Sequence, residues 1–257
     1  MRRFAAGRVA EEWTSFLLAC QFLTRLPVPA RWDPARMASA ARWFPAVGLI
    51  VGALAAAAHG LAALRFPPDL AALAAVAVAM LVTGCLHEDG FADVCDGLGG
   101  GATRERALEI MRDSRLGTYG VAGLSLMLLA KWQSLAGLPP VLVPLGLIAG
   151  HAASRASMVV AMAGGTYARS AGAAGSLAGG TGGRGVAVAI GIAALPVAAL
   201  LLAAPAAALA GVLGLALAHV LTRLWYGRRL GGYTGDCLGA TQQTGELGFY
   251  LGLLGWS

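Results

Sequence analysis

Six apolar stretches, near residues 43–62, 69–87, 118–136, 141–163, 185–203 and 206–226, dominate this chain. Each approaches the length of about 20 residues that a helix needs to cross the hydrocarbon core of a bilayer. A seventh, from about 247 to Ser257, is apolar but too short to cross alone. Only 12% of the residues are charged and 58% are hydrophobic, whereas a soluble domain carries about 25% charged residues. A chain so poor in charge cannot cover a globule with polar surface. It is equally unlike a disordered chain, which needs low hydrophobicity and high charge. The expected fold is all-α: a polytopic integral membrane helix bundle of six to seven transmembrane helices, built as one domain over 1–257. The 37 glycines fit, since small residues let membrane helices approach closely.

The connections alternate. Those at 63–68, 137–140 and 204–205 are short and carry one charge, Arg65. Those at 1–42, 88–117, 164–184 and 227–246 are long and hold 15 of the 19 basic residues. The positive-inside rule puts the long segments on the cytoplasmic side. Segment 1–42 includes an amphipathic stretch from Trp13 to Leu26, ended by Pro27 and Pro29. No cleavable signal peptide is expected, because Glu11 and Glu12 follow the N-terminal arginines and no small-residue cleavage site closes the apolar run. Cys20, Cys85, Cys95 and Cys237 form no CxxC pair and are expected as reduced packing residues. The arginines are scattered rather than massed, so the net charge of +6 does not point to nucleic acid.

Acids are scarcer and more informative. Seven of the 13 lie between Glu88 and Asp113, and Asp89, Asp93 and Asp96 share one face of a helix at i, i+4 and i+7. Like charges beside an apolar span are costly, and a divalent cation removes the cost. Carboxylate oxygens suit Mg²⁺, which also binds substrate phosphates. Glu105 and Glu109 alternate with arginines and are expected as solvated surface. Arg112 and Arg115 flank Asp113 and read either as interface anchors or as a phosphate clamp. A second glycine-rich segment, Gly231 to Ala240, holds Thr234 and Asp236, with Glu246 after it. Its backbone amides are suited to close approach by a phosphate. Within the spans, His151 and Arg155 stand at i, i+4, and His219 and Arg223 repeat the spacing. Snorkelling and anion binding both fit the two arginines. Lys131 has no evident role.

With these motifs in hand, the chain resembles the cobalamin synthase family, the adenosylcobinamide-GDP ribazoletransferases. The likeness runs through Phe22 to Pro29, His87 to Gly100, Met111 to Gly117, Lys131-Trp132, Tyr167-Ala168-Arg169, and Gly232 to Ala240 with Glu246. The resemblance implies a Mg²⁺-dependent substitution at phosphorus, in late vitamin B12 nucleotide-loop assembly. A ribose hydroxyl of α-ribazole, or of its 5′-phosphate, attacks the cobinamide-linked phosphorus of adenosylcobinamide-GDP, and GMP leaves. On that basis Glu88, Asp89, Asp93 and Asp96 are expected to hold the metal, and Asp93 or Asp96 to act as general base. Asp113 or Asp236 would complete the metal shell. Arg25, Arg112, Arg115 and Arg169 would hold phosphates, with Thr234 and Glu246 in the same substrate-binding set.

Two other readings fit the sequence less well. A CDP-alcohol phosphotransferase also uses spaced aspartates, but here Asp93 follows Ala92 where that pattern has Arg. A transporter would place its ionisable groups near the midplane, whereas these acids cluster in one segment. The expected partners are corrinoid and nucleoside substrates and the lipid bilayer, without nucleic acid. Homo-oligomerisation or association with other cobalamin-assembly enzymes stays open. The expected location is the bacterial cytoplasmic (inner) membrane, with the site facing the cytoplasm.

Overall fold

The computed structural model describes residues 2–169, 175 and 182–257. Within them the chain is helical. It opens with α1 (Arg2–Leu23), α2 (Pro34–Ala40) and a short 3₁₀ turn, and continues through α3 (Phe44–Ala63) and α4 (Pro68–Thr83). Next come α5 (Leu86–Gly100), α6 (Arg104–Ile110), α7 (Thr118–Gly137) and α8 (Val143–Ala163). The last three are α9 (Gly182–Ala203), α10 (Pro205–Leu230) and α11 (Gly235–Leu254). The apolar stretches match α3, α4, α7, α8, α9 and α10 within a few residues. Four helical segments pass for full spans by length and composition, those ending at Ala63, Ala163, Ala203 and Leu230.

Helices α8 and α11 form the centre. Helix α11 packs on α10, α5, α8 and α7, while α8 also packs on α3 and α9. The seams are lined by glycine. A Cβ at Gly48 or Gly52 of α3 would strike the α8 backbone, and one at Gly214 or Gly248 would strike across the α10–α11 seam. Removing the side chain lets the helices approach until backbones touch, which supplies van der Waals contact where no hydrophobic effect operates.

Three expectations need correction. The segment 88–117 is not a loop: most of it is helix, in α5 and α6, joined to α7 by a turn. The segment 227–246 is also largely helical, leaving only residues 231–234 between α10 and α11. The short apolar tail is the second half of the 20-residue helix α11. Its polar first half, with Asp236, Gln242, Gln243 and Glu246, hid the helix from a hydropathy reading.

One bend positions the site. Gly84 (φ 64°) and Cys85 (φ 58°) are both left-handed, and α5 leaves α4 at 90°. Gly84 takes this conformation without strain, while Cys85 pays for a Cβ there. Cys85 is exposed rather than packed, unlike the other three cysteines. Helix α5 therefore turns across α11 and α7, on which it packs, and brings Asp89 and Asp93 toward Asp236 at the start of α11.

Candidate active site

At that end a cleft of about 240 Å³ lies between α5, the start of α11 and the segment following α8. Asp89, Asp236, Arg169 and Tyr167 line it, with Phe22 and Leu23 of α1 as an apolar wall. Glycine sets the spacing. A Cβ on Gly90 would sit 3.0 Å from the Asp236 Cα, and one on Gly239 would sit 3.1 Å from the His87 carbonyl oxygen. Helices α5 and α11 thus meet closely enough to bring acids 140 or more residues apart in the sequence to one place.

The cleft is electrostatically loaded. Arg169 Nη2 lies 2.8 Å from Asp236 Oδ2. Asp93 is pushed up to about 7 by loss of water, then by the neighbouring carboxylates of Asp236 and Asp89, with Arg169 opposing and Asp96 adding a little. A carboxyl so perturbed beside its own kind is a mark of a functional site. Among the described residues no three His, Cys, Asp or Glu side chains converge as a ready-made metal cage. That donor set suits Mg²⁺ all the same, because this ion keeps several waters and usually takes one or two carboxylates together with substrate phosphates.

The wall opposite α5 is a short strap. Tyr233 N–H donates to the Thr166 carbonyl at 2.9 Å, and Ala168 N–H donates to the Tyr233 carbonyl at 2.8 Å. The Tyr167 and Tyr233 rings pack edge to face, 5.7 Å apart. Arg104 of α6 fastens the strap: Nε donates to the Leu230 carbonyl at 2.8 Å and Nη2 to the Ala168 carbonyl at 2.9 Å. Arg169 follows directly, so its guanidinium is aimed by this lacing.

Several expected site residues are elsewhere. Asp96 does not face the cleft: its two oxygens accept from the backbone N–H groups of Gly117 at 2.7 Å and Gly120 at 2.8 Å. It caps α7, where a negative charge also meets the positive end of the helix dipole. Thr234 caps α11, its Oγ1 accepting from Cys237 N–H at 3.3 Å, and stays beside the cleft by donating to Asp236 Oδ2 at 3.3 Å. Asp113 is neutralised by its own neighbour, bonded by Arg115 Nη2 at 2.6 Å and held down to about 2 by that contact. This occupies Arg115 as well, so the expected clamp closes on itself. Arg112 is exposed, close enough to Tyr167 to influence it electrostatically. Arg25 lies across Gly84 at the α4–α5 bend.

Glu88 and Glu246 are the largest departure, because both are buried in the bundle rather than in the cleft. Lys131 Nζ donates to Glu246 Oε1 at 2.8 Å and to Gln243 Oε1 at 2.7 Å. Gln243 Nε2 in turn donates to Glu88 Oε1 at 2.9 Å. His151 Nδ1 lies 2.9 Å from Glu246 Oε2, so this nitrogen carries the proton. Arg155 Nη1 then has its acceptor in the His151 carbonyl, at 3.1 Å.

Comparison with known proteins now decides the family. The family described as cobalamin-5-phosphate synthase matches residues 15–254. The chain belongs to the cobalamin-5-phosphate synthase family. It is 46% identical to the adenosylcobinamide-GDP ribazoletransferase of Bradyrhizobium diazoefficiens, covering 90% of this chain and 89% of that one. It is 40% identical to the enzyme of that name from Ralstonia pickettii, over 96% and 97% of the two chains. The likeness to the Leptothrix cholodnii enzyme is 46%, over 93% and 94%. No solved structure matches.

In this member of the cobalamin-5-phosphate synthase family, sequence reasoning passed over Arg104, Gln242 and Gln243. In sequence Arg104 reads as one of four arginines, with Arg106, Arg112 and Arg115, available to pair with the acids of its segment. Gln242 and Gln243 carry no charge to draw notice. The available signal was Lys131: a lone lysine in an apolar helix requires a buried acid, which Glu246 supplies.

Proposed function

We propose that the cleft between α5 and α11 transfers the cobinamide-phosphoryl group of adenosylcobinamide-GDP to a ribose hydroxyl of α-ribazole or its 5′-phosphate. A new bond forms between the hydroxyl oxygen and the cobinamide-linked phosphorus, the bond to the GMP oxygen breaks, and GMP leaves. The observation that carries this reading is the meeting of Asp89, Asp236 and Arg169 at one cleft, with Asp93 within electrostatic reach of all three, in a chain of this family.

Such a substitution needs placement and charge neutralisation more than covalent help. Arg169 presents a fixed guanidinium for a diphosphate oxygen, while Asp236 holds it from the other side. Asp93, a carboxylate beside Asp89 and Asp236, is suited to accept the attacking hydroxyl proton. Asp89 and Asp236 are the residues that would hold Mg²⁺, which when bound neutralises diphosphate charge and steadies the leaving phosphate. Phe22 and Leu23 offer an apolar wall to the organic parts of the substrates. The 15 of 19 basic residues in the long connections support a cytoplasmic orientation of the cleft in the bacterial inner membrane.

The test is one incubation of the purified protein with adenosylcobinamide-GDP, α-ribazole 5′-phosphate and Mg²⁺. Mass spectrometry should find the joined product and GMP, and EDTA should suppress both. Absence of product from folded, Mg²⁺-supplied protein would reject the reading.

A further inference from the structure

Helices α8, α9 and α10 are all long and apolar enough to cross the membrane. Between them lies a crevice of about 380 Å³, walled largely by alanine and valine. Its polar side chains, Ser157 and His219, are 2.7 Å apart and bond each other. Their polarity is spent internally, and the surface left over is hydrocarbon. Val212, Ile190 and Val220 at its rim are exposed, so it opens toward lipid.

A second cleft, of about 300 Å³, continues it along the same two helices. On α8 the lining passes from Ala156 and Val160 to Ala161 and Gly164. On α10 it passes from Ala216 and His219 to Arg223 and Tyr226. The α10 series follows the three-and-four spacing of one helix face, and on α8 Ala156, Val160 and Gly164 stand four apart. The two spaces are therefore the lower and upper parts of a single trough, apolar below and polar above.

Arg223 stands at the junction. Its Nη2 donates to the Gly164 carbonyl at 2.5 Å, which pins the guanidinium at the end of α8. Among the described residues no carboxylate pairs with it. Glycine backbone at Gly164, Gly165, Gly227 and Gly231 leaves room beside it. Trp225, two residues on and 40% exposed, is a side chain suited to the membrane–water boundary, where indole rings gather.

We propose that this trough is a binding site for one anionic phospholipid. Its phosphate meets Arg223 in the leaflet on the side of the acid-lined cleft, and an acyl chain fills the crevice between α8, α9 and α10. The match is one of form and charge: an unpaired cation at headgroup depth sits directly above an apolar channel. A lone snorkelling arginine would not need the channel, and an ordinary lipid-facing groove would not need the cation.

The test uses full-length protein, delipidated in detergent and examined by native mass spectrometry. The probes are phosphatidylglycerol, phosphatidylcholine and inorganic phosphate, each alone. Phosphatidylglycerol should remain bound at collision energies that strip phosphatidylcholine, and inorganic phosphate should give no adduct. Arg223→Gln should weaken phosphatidylglycerol binding about fivefold, as expected for one basic contact at the bilayer surface, and Arg223→Lys should recover part of it. Ala193→Leu, or Ala216→Leu at an exposed position that spares the fold, should fill the crevice and reduce retention of both lipids. Equal retention of the two lipids, wild-type binding in Arg223→Gln, or wild-type binding in the folded crevice variants would each overturn the proposal.

Discussion

Lys131 of α7 and Glu246 of α11 form an ion pair of 2.8 Å with side chains only 4% and 5% exposed. The pair lies between helices, alongside a cavity of about 20 Å³ that His87, Glu88 and Arg155 also line. A buried pair is not a large source of stability as such, but removing one member strands the other, at a cost of about 3–5 kcal/mol. Lys131→Met and Glu246→Gln should each lower the melting temperature in detergent sharply. The double variant should fall by less than the sum of the two, which thermal unfolding of all three will show. Strict additivity would mean that the two charges are not coupled.

Asp96 and Asp89 separate structure from chemistry on one helix. Asp96→Ala removes two backbone hydrogen bonds at the start of α7, a cap loss worth about 1–2 kcal/mol. It should lower stability while leaving measurable turnover. Asp89→Asn should do the reverse, with an unchanged melting temperature and a loss of about 10²–10³ in turnover, the size expected when one electrostatic contact to a reacting group is removed. Paired unfolding and GMP-release assays distinguish them.

Asp93 gives a pH test with a definite sign. Its folded-state value, about 7, is above the usual 3.8, so the folded protein favours the protonated form. Ionisation between those values withdraws stability as pH rises, and above about 7 the whole penalty is present. In EDTA, Asp93→Asn should therefore melt at a higher temperature than wild type at pH 8 and at the same temperature near pH 3. The half-exposure of the group makes the gain modest. Activity should be lost at both values. A lower melting temperature for Asp93→Asn at pH 8 would show that the carboxylate is well paired instead.

Arg104 should act through Arg169. Arg104→Ala unlaces the strap from α6 and α10, and is expected to raise KM several-fold more than it lowers kcat. Arg104→Lys should recover little, because a single ammonium cannot reproduce the two directed contacts of the guanidinium fork. An unchanged KM in Arg104→Ala would remove the strap from the account of substrate binding.

The spans were legible because membrane insertion demands an apolar run of fixed length, and α3, α8 and α10 satisfy that demand almost residue for residue. The approach of Asp89 and Asp93 to Asp236 was legible from charge scarcity and glycine placement, whereas Arg169 stands out in the sequence only through the family resemblance. What escaped depends on direction rather than spacing. Glu88 and Asp89 are neighbours in sequence, yet one enters the core and the other the cleft. Asp96 shares a helix face with Asp93, yet its carboxylate is claimed by amides of Gly117 and Gly120 that only the turn before α7 brings near. Helix α11 escaped because its burial lies against protein rather than lipid, and such a helix does not need to be hydrophobic.

The buried network also constrains how the protein is made. Lys131 enters the membrane 115 residues before Glu246, and a lysine at mid-helix opposes insertion by about 2.5–3.5 kcal/mol. During synthesis α7 must be held by the insertion machinery, or by its hairpin with α8, until the final helix arrives. The later helix, α11, is thus the one that supplies the counter-ion for the lysine of the earlier one. Without α11, Lys131 would lose its counter-ion and the cleft the wall that carries Asp236.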